Sequence, residues 1–299
     1  MRTIKFLSLM LVGITLLSAC KKDDNDNPSN QTKTIKLNFS GLEDLGTDYV
    51  YEGWLMVGGM PVSTGVFSVD ASGMLSKDTF VLSAEDVQNA SAFVLTIEPA
   101  DDSDPNPSAT KMMAGDFSGD QAALTISPVV GDFSGAEGKY ILATPTNGEN
   151  TDENSGIWFL DFAMGGPTAG LDLPTLPDGW KYEGWAVIDG VPVTSGKFTK
   201  VAATDEADPF SSTMPLPDVN GADGFFPGED YLVNPPAGMS FPTDLAGGMA
   251  VISIEPDPDN SPAPFTLKPL VHQIPDPATD HMVYNMDQNL VFPTGTVSR

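Results

Sequence analysis

The segment Tyr51-Glu52-Gly53-Trp54, followed by Pro61-Val62-Ser63-Thr64-Gly65 and Phe67, recurs 131 residues later. The second copy reads Tyr182-Glu183-Gly184-Trp185, then Pro192-Val193-Thr194-Ser195-Gly196 and Phe198. Internal duplication constrains architecture before any local propensity does, because two copies of one sequence adopt one local structure twice. A second block repeats as well: Val94-Leu95-Thr96-Ile97-Glu98-Pro99 returns as Val251-Ile252-Ser253-Ile254-Glu255-Pro256 at an offset of 157, so copy two carries 26 extra residues between the blocks. That insertion falls near residues 202–247 and is rich in Pro, Gly, Asp and Phe (Phe210, Phe225, Phe226, Phe241). A long loop present on one copy only is a natural place for function or motion.

Short apolar runs separated by turn residues dominate the chain, and helical periodicity is nearly absent. The expected strands are Thr34 to Phe39, Tyr49 to Val57, Val62 to Val69, Phe93 to Ile97 and Ala122 to Ile126 in copy one. Further along the chain they are Tyr140 to Ala143, still within the first expected span (34–145), then Ile157 to Phe162, Lys181 to Ile188, Val193 to Thr199 and Ala250 to Ile254. Gly58-Gly59 and Asp189-Gly190 tolerate the positive φ angles of a two-residue hairpin turn, so the chain is expected to fold back at both. A central strand covered on both faces fits Tyr49 to Val57, since both alternating sets are mostly apolar. One helical turn is expected near Ser83 to Gln88. The fold class that follows is all-β, with two tandem β-sandwich domains of immunoglobulin-like or related type. Their expected spans are 34–145 and 157–299, joined by a linker at 146–156 that lacks any apolar residue.

The N-terminus opens with Arg2 and Lys5, then an apolar run from Phe6 to Leu17, a secretory signal too short to span a bilayer. Leu17-Ser18-Ala19-Cys20 resembles the bacterial lipobox, which implies cleavage after residue 19 and lipid on Cys20. Residues 20–33 read as a disordered tether. The Lys-Asp-Asp that follows Cys20 resembles the surface-export signal of Bacteroidetes-type lipoproteins. An outer-membrane lipoprotein, surface-exposed or otherwise facing the periplasm, is expected. Loss of Arg2 and Lys5 leaves 12 basic against 41 acidic side chains, a net charge of −29. Such a surface repels phosphate backbones, so nucleic acid is not an expected partner. Cys20 is the only cysteine, which excludes an intrachain disulfide.

Catalytic constellations are sparse. No Gly-x-Ser-x-Gly elbow occurs, the two histidines (His272, His281) have no metal-pair spacing, and Gly138-Lys139 and Gly196-Lys197 lack the rest of a phosphate loop. Two recurring carboxylate pairs, Glu52 with Glu98 and Glu183 with Glu255, could approach across a sheet and perform glycosidic acid/base work. The structural alternative is that Glu98 and Glu255, each before a proline at a strand end, accept backbone N–H groups, and that Glu52 and Glu183 accept an indole N–H. Acidic loops follow both Glu-Pro pairs. Asp101, Asp102 and Asp104, and Asp257 and Asp259, are weak calcium ligands without EF-hand spacing. No cofactor is expected.

The pattern Tyr-Glu-Gly-Trp, then Gly-Gly or Asp-Gly, then Pro-Val-Ser/Thr-Ser/Thr-Gly-x-Phe, then Thr/Ser-Ile-Glu-Pro resembles the extracytoplasmic C-terminal domain of anti-sigma-K factors (RskA-type). It covers about Lys36 to Pro128 and again Ile157 to Pro269. The resemblance implies a β-rich module outside the membrane without known catalysis. A complete anti-sigma factor carries a sigma-binding domain and a membrane helix ahead of this module, whereas here a lipoprotein signal precedes it, so direct sigma-factor binding is not expected. The expected function is a non-enzymatic, lipid-anchored envelope protein that binds or senses a protein or glycan ligand. The rival readings are a regulatory component of anti-sigma or envelope-stress signalling and a glycan-active enzyme using the two glutamate pairs.

Overall fold

The computed structural model describes residues 31–148, 150–162, 166–211, 226–259 and 261–299. Cys20, the expected signal segment, most of the expected tether and Phe225 lie outside the described residues. In chain order the first strands are β1 (Thr32–Ser40), β2 (Tyr49–Val57), β3 (Met60–Phe67), β4 (Thr79–Ser83), β5 (Ala90–Pro99), β6 (Lys111–Ser118), β7 (Gln121–Leu124) and β8 (Glu137–Leu142). Next come β9 (Ile157–Trp158), β10 (Leu160–Asp161), β11 (Thr168–Ala169), β12 (Leu171–Asp172), β13 (Trp180–Ile188), β14 (Val191–Phe198) and β15 (Gly228–Glu229). The last are β16 (Met249–Pro256), β17 (Leu270–Gln273), β18 (Tyr284–Asn285), β19 (Asp287–Gln288) and β20 (Thr294–Ser298). Among the described residues one α-helix, α1 (Ala84–Asn89), starts where Ser83 caps it, its hydroxyl accepting from the Glu85 N–H at 3.2 Å, and a single 3-10 turn spans Glu153–Ser155. Among the described residues no helix is long and apolar enough to cross a membrane.

The chain is all-β, and every described strand pair is antiparallel. An eight-stranded sheet runs β3-β2-β5-β6-β7-β20-β1-β4, and a five-stranded sheet runs β14-β13-β16-β17-β19. The run β3-β2-β5-β6 has its counterpart in β14-β13-β16-β17, so the duplication seen in the sequence is a duplication of strand order. A third sheet, β12-β8-β9-β15 with β18 also on β8, and the β10–β11 pair complete the architecture.

Two strands cross the division expected at 146–156. β20, at the far end of copy two, pairs with β1 and β7 of copy one. β8, placed in copy one by sequence, pairs with β9, β12 and β18. The physical reason is burial: Val297 and Tyr140 are fully buried and belong to one apolar cluster that runs from Ile35 through Phe133, Tyr182 and Ile254. The expected linker is itself packed, with Thr146, Glu153 and Ser155 buried and the Thr146 N–H donating to Asp230 at 2.8 Å. β1 begins at Thr32, inside the segment expected to be tether.

Candidate functional site

Both copies build their hairpin the same way. Gly58 and Gly59 (φ 58° and 83°) and Asp189 and Gly190 (φ 53° and 82°) take the left-handed conformations of a two-residue turn whose twist matches the strands. The register then shifts between Gly53 and Trp54 and again between Gly184 and Trp185. A β-bulge therefore sits at Thr64 and at Ser195, each followed by a glycine at positive φ (Gly65, 106°; Gly196, 110°). That is what Pro-Val-Ser-Thr-Gly and its twin encode.

The signature side chains are spent on the fold in both copies. Tyr51 stacks on Phe67 at 5.6 Å and donates to the Glu43 carbonyl at 3.0 Å; Tyr182 stacks on Phe198 at 5.5 Å and donates to the Pro174 carbonyl at 2.6 Å. Gly53 is bare because a Cβ there would lie 2.5 Å from Phe93 Cζ and 2.5 Å from Thr64 Oγ1. At Gly184 the added atom would strike Ser195 Oγ and come within 2.6 Å of Phe159 Cε2.

A buried polar line links tryptophan to glutamate in each copy. The Trp54 indole N–H donates to Thr96 Oγ1 at 2.9 Å, and the Thr96 hydroxyl donates to Glu98 Oε1 at 2.5 Å. The Ser108 N–H donates to the same oxygen at 2.9 Å. In copy two the Trp185 indole donates to Ser253 Oγ at 2.8 Å, Ser253 donates to Glu255 Oε1, and the Phe265 N–H donates to that oxygen at 2.9 Å. Glu98 and Glu255 thus accept backbone N–H groups. Glu52 and Glu183 do not take the indole proton; they accept from Ser63 and, at 2.5 Å, from Thr194 on the neighbouring strand. The intermediary is a hydroxyl two residues before each Glu-Pro, which side-chain alternation places on the glutamate's own face. Its recurrence (Thr96, Ser253) was visible in the second repeated block.

The copies diverge around Glu183. Lys197 stands where copy one has Val66, and its ammonium lies 3.0 Å from Asp259 Oδ2 and 3.8 Å from Glu183 Oε2. Glu183, Glu255 and Asp259 each bring a carboxylate oxygen within 4.8 Å of the others, the only such group of three among the described residues. Burial raises the Glu183 carboxyl to about 7 against the opposing Thr194 hydrogen bond and Lys197 charge. Burial likewise raises Glu255 to about 8. The partly exposed Glu52 is raised as well, again by burial. The other acidic-loop residues stay apart: Asp104 N–H donates to Asp102 and Asn106 N–H to Asp104 in an exposed turn, while Asp257 pairs with Lys181 at 3.3 Å. Asp101 is exposed in that same turn.

Two further features lie beyond the recurring residues, at the places where a ligand is expected to engage, the cleft between the copies and the insertion. A cleft of about 360 Å³ opens between the copies, lined by Glu43, Asp44, Asp48 and Tyr49 from one and by Asp259 and Phe265 from the other. The described part of the insertion is also packed rather than free. Phe210, Tyr231 and Phe241 form an aromatic cluster with centroids 5.5–5.9 Å apart. Beside it, buried Glu229 accepts from the Ser211 hydroxyl and the Phe210 N–H, and Asp230 accepts from the Trp158 indole at 2.9 Å. His272 is a strand residue whose Nδ1 meets the Tyr140 hydroxyl at 2.8 Å.

Residues 27–111 match the family model for the C-terminal domain of anti-sigma-K factor rskA. The likeness is to an anti-sigma-factor-related regulatory domain, and the matched segment holds β1 to β5 with the whole first signature. It covers less than a third of the chain. No curated protein and no solved structure matches the sequence.

Proposed function

We propose that this chain is a non-enzymatic, lipid-anchored envelope protein that acts by binding, with the cleft between the two copies as its recognition surface. The observation that carries this reading is the contrast in access. Glu98, Glu183 and Glu255 are 1 %, 4 % and 0 % exposed, so no glycosidic oxygen can reach them, whereas the cleft is concave, open and built by both copies. Its acidic wall favours a protein segment carrying basic residues or a glycan held through its hydroxyls. Anchoring rests on Cys20 and the tether behind it, which would hold the cleft outside the membrane, at the cell surface or in the periplasm.

A regulatory role in envelope-stress signalling is the second reading, favoured by the match of residues 27–111 to an anti-sigma-related domain. In that case the protein would sense a ligand outside the membrane and act on sigma factors only through another component.

The test combines anchoring and capture. Cys20→Ala should release the protein from membranes. Cross-linking on cells should trap a partner that Asp44→Lys combined with Asp48→Lys no longer captures. Membrane retention of unlipidated protein would defeat the anchoring claim, and undiminished capture would defeat the cleft. Deletion that shifts an extracytoplasmic sigma regulon would select the regulatory reading.

A further inference from the structure

Buried carboxylate oxygens without a donor are costly, because each has surrendered its water and gained nothing in return. Glu183 Oε2 and Glu255 Oε2 are two such atoms, both buried and neither accepting a hydrogen bond. Their residues, with Asp259, form the group in which one carboxylate oxygen from each lies within 4.8 Å of the others. Oxygens bound at 2.3–2.6 Å around one Ca²⁺ lie up to roughly 5 Å apart, so three carboxylates at this spacing match such a sphere. With no nitrogen or sulfur donor in the group, the chemistry is that of a hard cation.

We propose that Glu183, Glu255 and Asp259 form a site for a hard divalent cation of the calcium class in the second copy, and that the Lys197 ammonium is the exchangeable internal occupant it displaces. Lys197 satisfies the group only in part: it stands 3.0 Å from Asp259 and 3.8 Å from Glu183, and among the described residues Glu255 joins no ion pair. One ammonium against three carboxylates leaves the ionised site negative. The lysine side chain keeps 25 % of its surface exposed, so its flexible stem can carry the charge out to water when an ion enters. Entry is provided by the inter-copy cleft, where Asp259 shares the lining with Glu43, Asp44 and Asp48, an acidic mouth that concentrates cations. Glu255 Oε1 is already held by Ser253 and the Phe265 N–H, which orients the carboxylate and leaves Oε2 for the ion. The first copy lacks the arrangement, because Val66 replaces the lysine and its acidic loop closes on itself in an exposed turn.

The test uses full-length protein stripped with EDTA and titrated with Tb³⁺, whose emission a nearby indole sensitises. Trp185 is one hydroxyl away from Glu255, so excitation at the indole band should give saturable emission that Ca²⁺ competes away. Asp259→Asn and Glu255→Gln should each weaken binding by about tenfold or more, and Lys197→Met should tighten it by a similar factor. Trp185→Phe should lose emission while keeping the rise in Tm that Ca²⁺ gives. Emission that both carboxylate substitutions leave intact would place the ion on surface acids and overturn the site. Absence of saturable emission in wild type and in Lys197→Met would also overturn it, and affinity unchanged by Lys197→Met would overturn the exchange. Asp259→Asn keeps an oxygen that can accept from the Ser261 N–H, so this amide variant is expected to fold even where Glu255→Gln does not.

Discussion

Set side by side, the β2–β3 and β13–β14 hairpins share turn, bulge, tyrosine stack, bare glycine and tryptophan–hydroxyl–glutamate line. On the strands they part company in charge at two positions, Val50 against Lys181 and Val66 against Lys197, and again at the insertion that follows. What recurs is mostly buried and held by hydrogen bonds to other recurring residues. What differs gathers charge: Lys181, Lys197 and the Asp205–Glu229–Asp230 group all belong to copy two. A duplicated unit keeps the interactions that fold it and is free to vary where none of them is touched.

The comparison breaks most sharply if the two tryptophans are unequal. Trp54→Ala and Trp185→Ala should each cost about 3–5 kcal/mol, since both indoles are 2 % exposed and each orphans a hydroxyl–glutamate pair. Urea unfolding followed by far-UV circular dichroism measures both; a loss confined to one copy would deny their equivalence. Gly53→Ala and Gly184→Ala come next, at about 1–3 kcal/mol each, because the new methyl meets Phe93 or Phe159. The same unfolding curves read that loss.

A reciprocal exchange sharpens the difference. Lys197→Val should cost about 1–2 kcal/mol, leaving Asp259 and buried Glu183 without their cation. Val66→Lys, at an exposed position, should change stability by less than about 0.5 kcal/mol. Equal effects would mean the two sites are electrostatically alike.

The smallest effect is a pH drift. Burial raises the Asp205 carboxyl to about 8 and the Glu229 carboxyl to about 7, above their ordinary values of 3.8 and 4.5. The native state therefore holds protons that the unfolded chain releases. This stability is fully present below about pH 4 and is lost as pH rises through 7 and 8. Asp205→Asn, which can still accept from the Gly228 N–H, should flatten the decline in Tm between pH 5 and 8.5; an unchanged slope would contradict the assignment.

Much of this was legible in the sequence because hairpins are local. Tyr49–Val57 emerges with its expected bounds, both turns fall at Gly58-Gly59 and Asp189-Gly190, and Ser83 caps α1. β6 and β20 escaped notice: Lys-Met-Met-Ala-Gly-Asp-Phe-Ser breaks alternation with a glycine, and Thr-Gly-Thr-Val-Ser is short and polar. β20 is made a strand by its partners, β1 more than 250 residues away and β7. The pairing of β20 and β8 across the expected boundary at 146–156 was hidden for the same reason, as it joins segments far apart in sequence. Within the candidate site, the recurring glutamates stood out by repetition. Lys197 did not, because its meaning lies in Asp259, a residue 62 positions distant.

The central claim is that the duplicated line from tryptophan to glutamate is a folding element in both copies. Equilibrium unfolding of full-length Thr96→Val and Ser253→Ala tests it directly, since each removes the one hydroxyl between indole and carboxylate. The account predicts matching losses of about 1–3 kcal/mol, the cost of leaving buried polar groups unsatisfied. A wild-type midpoint in either variant would contradict it.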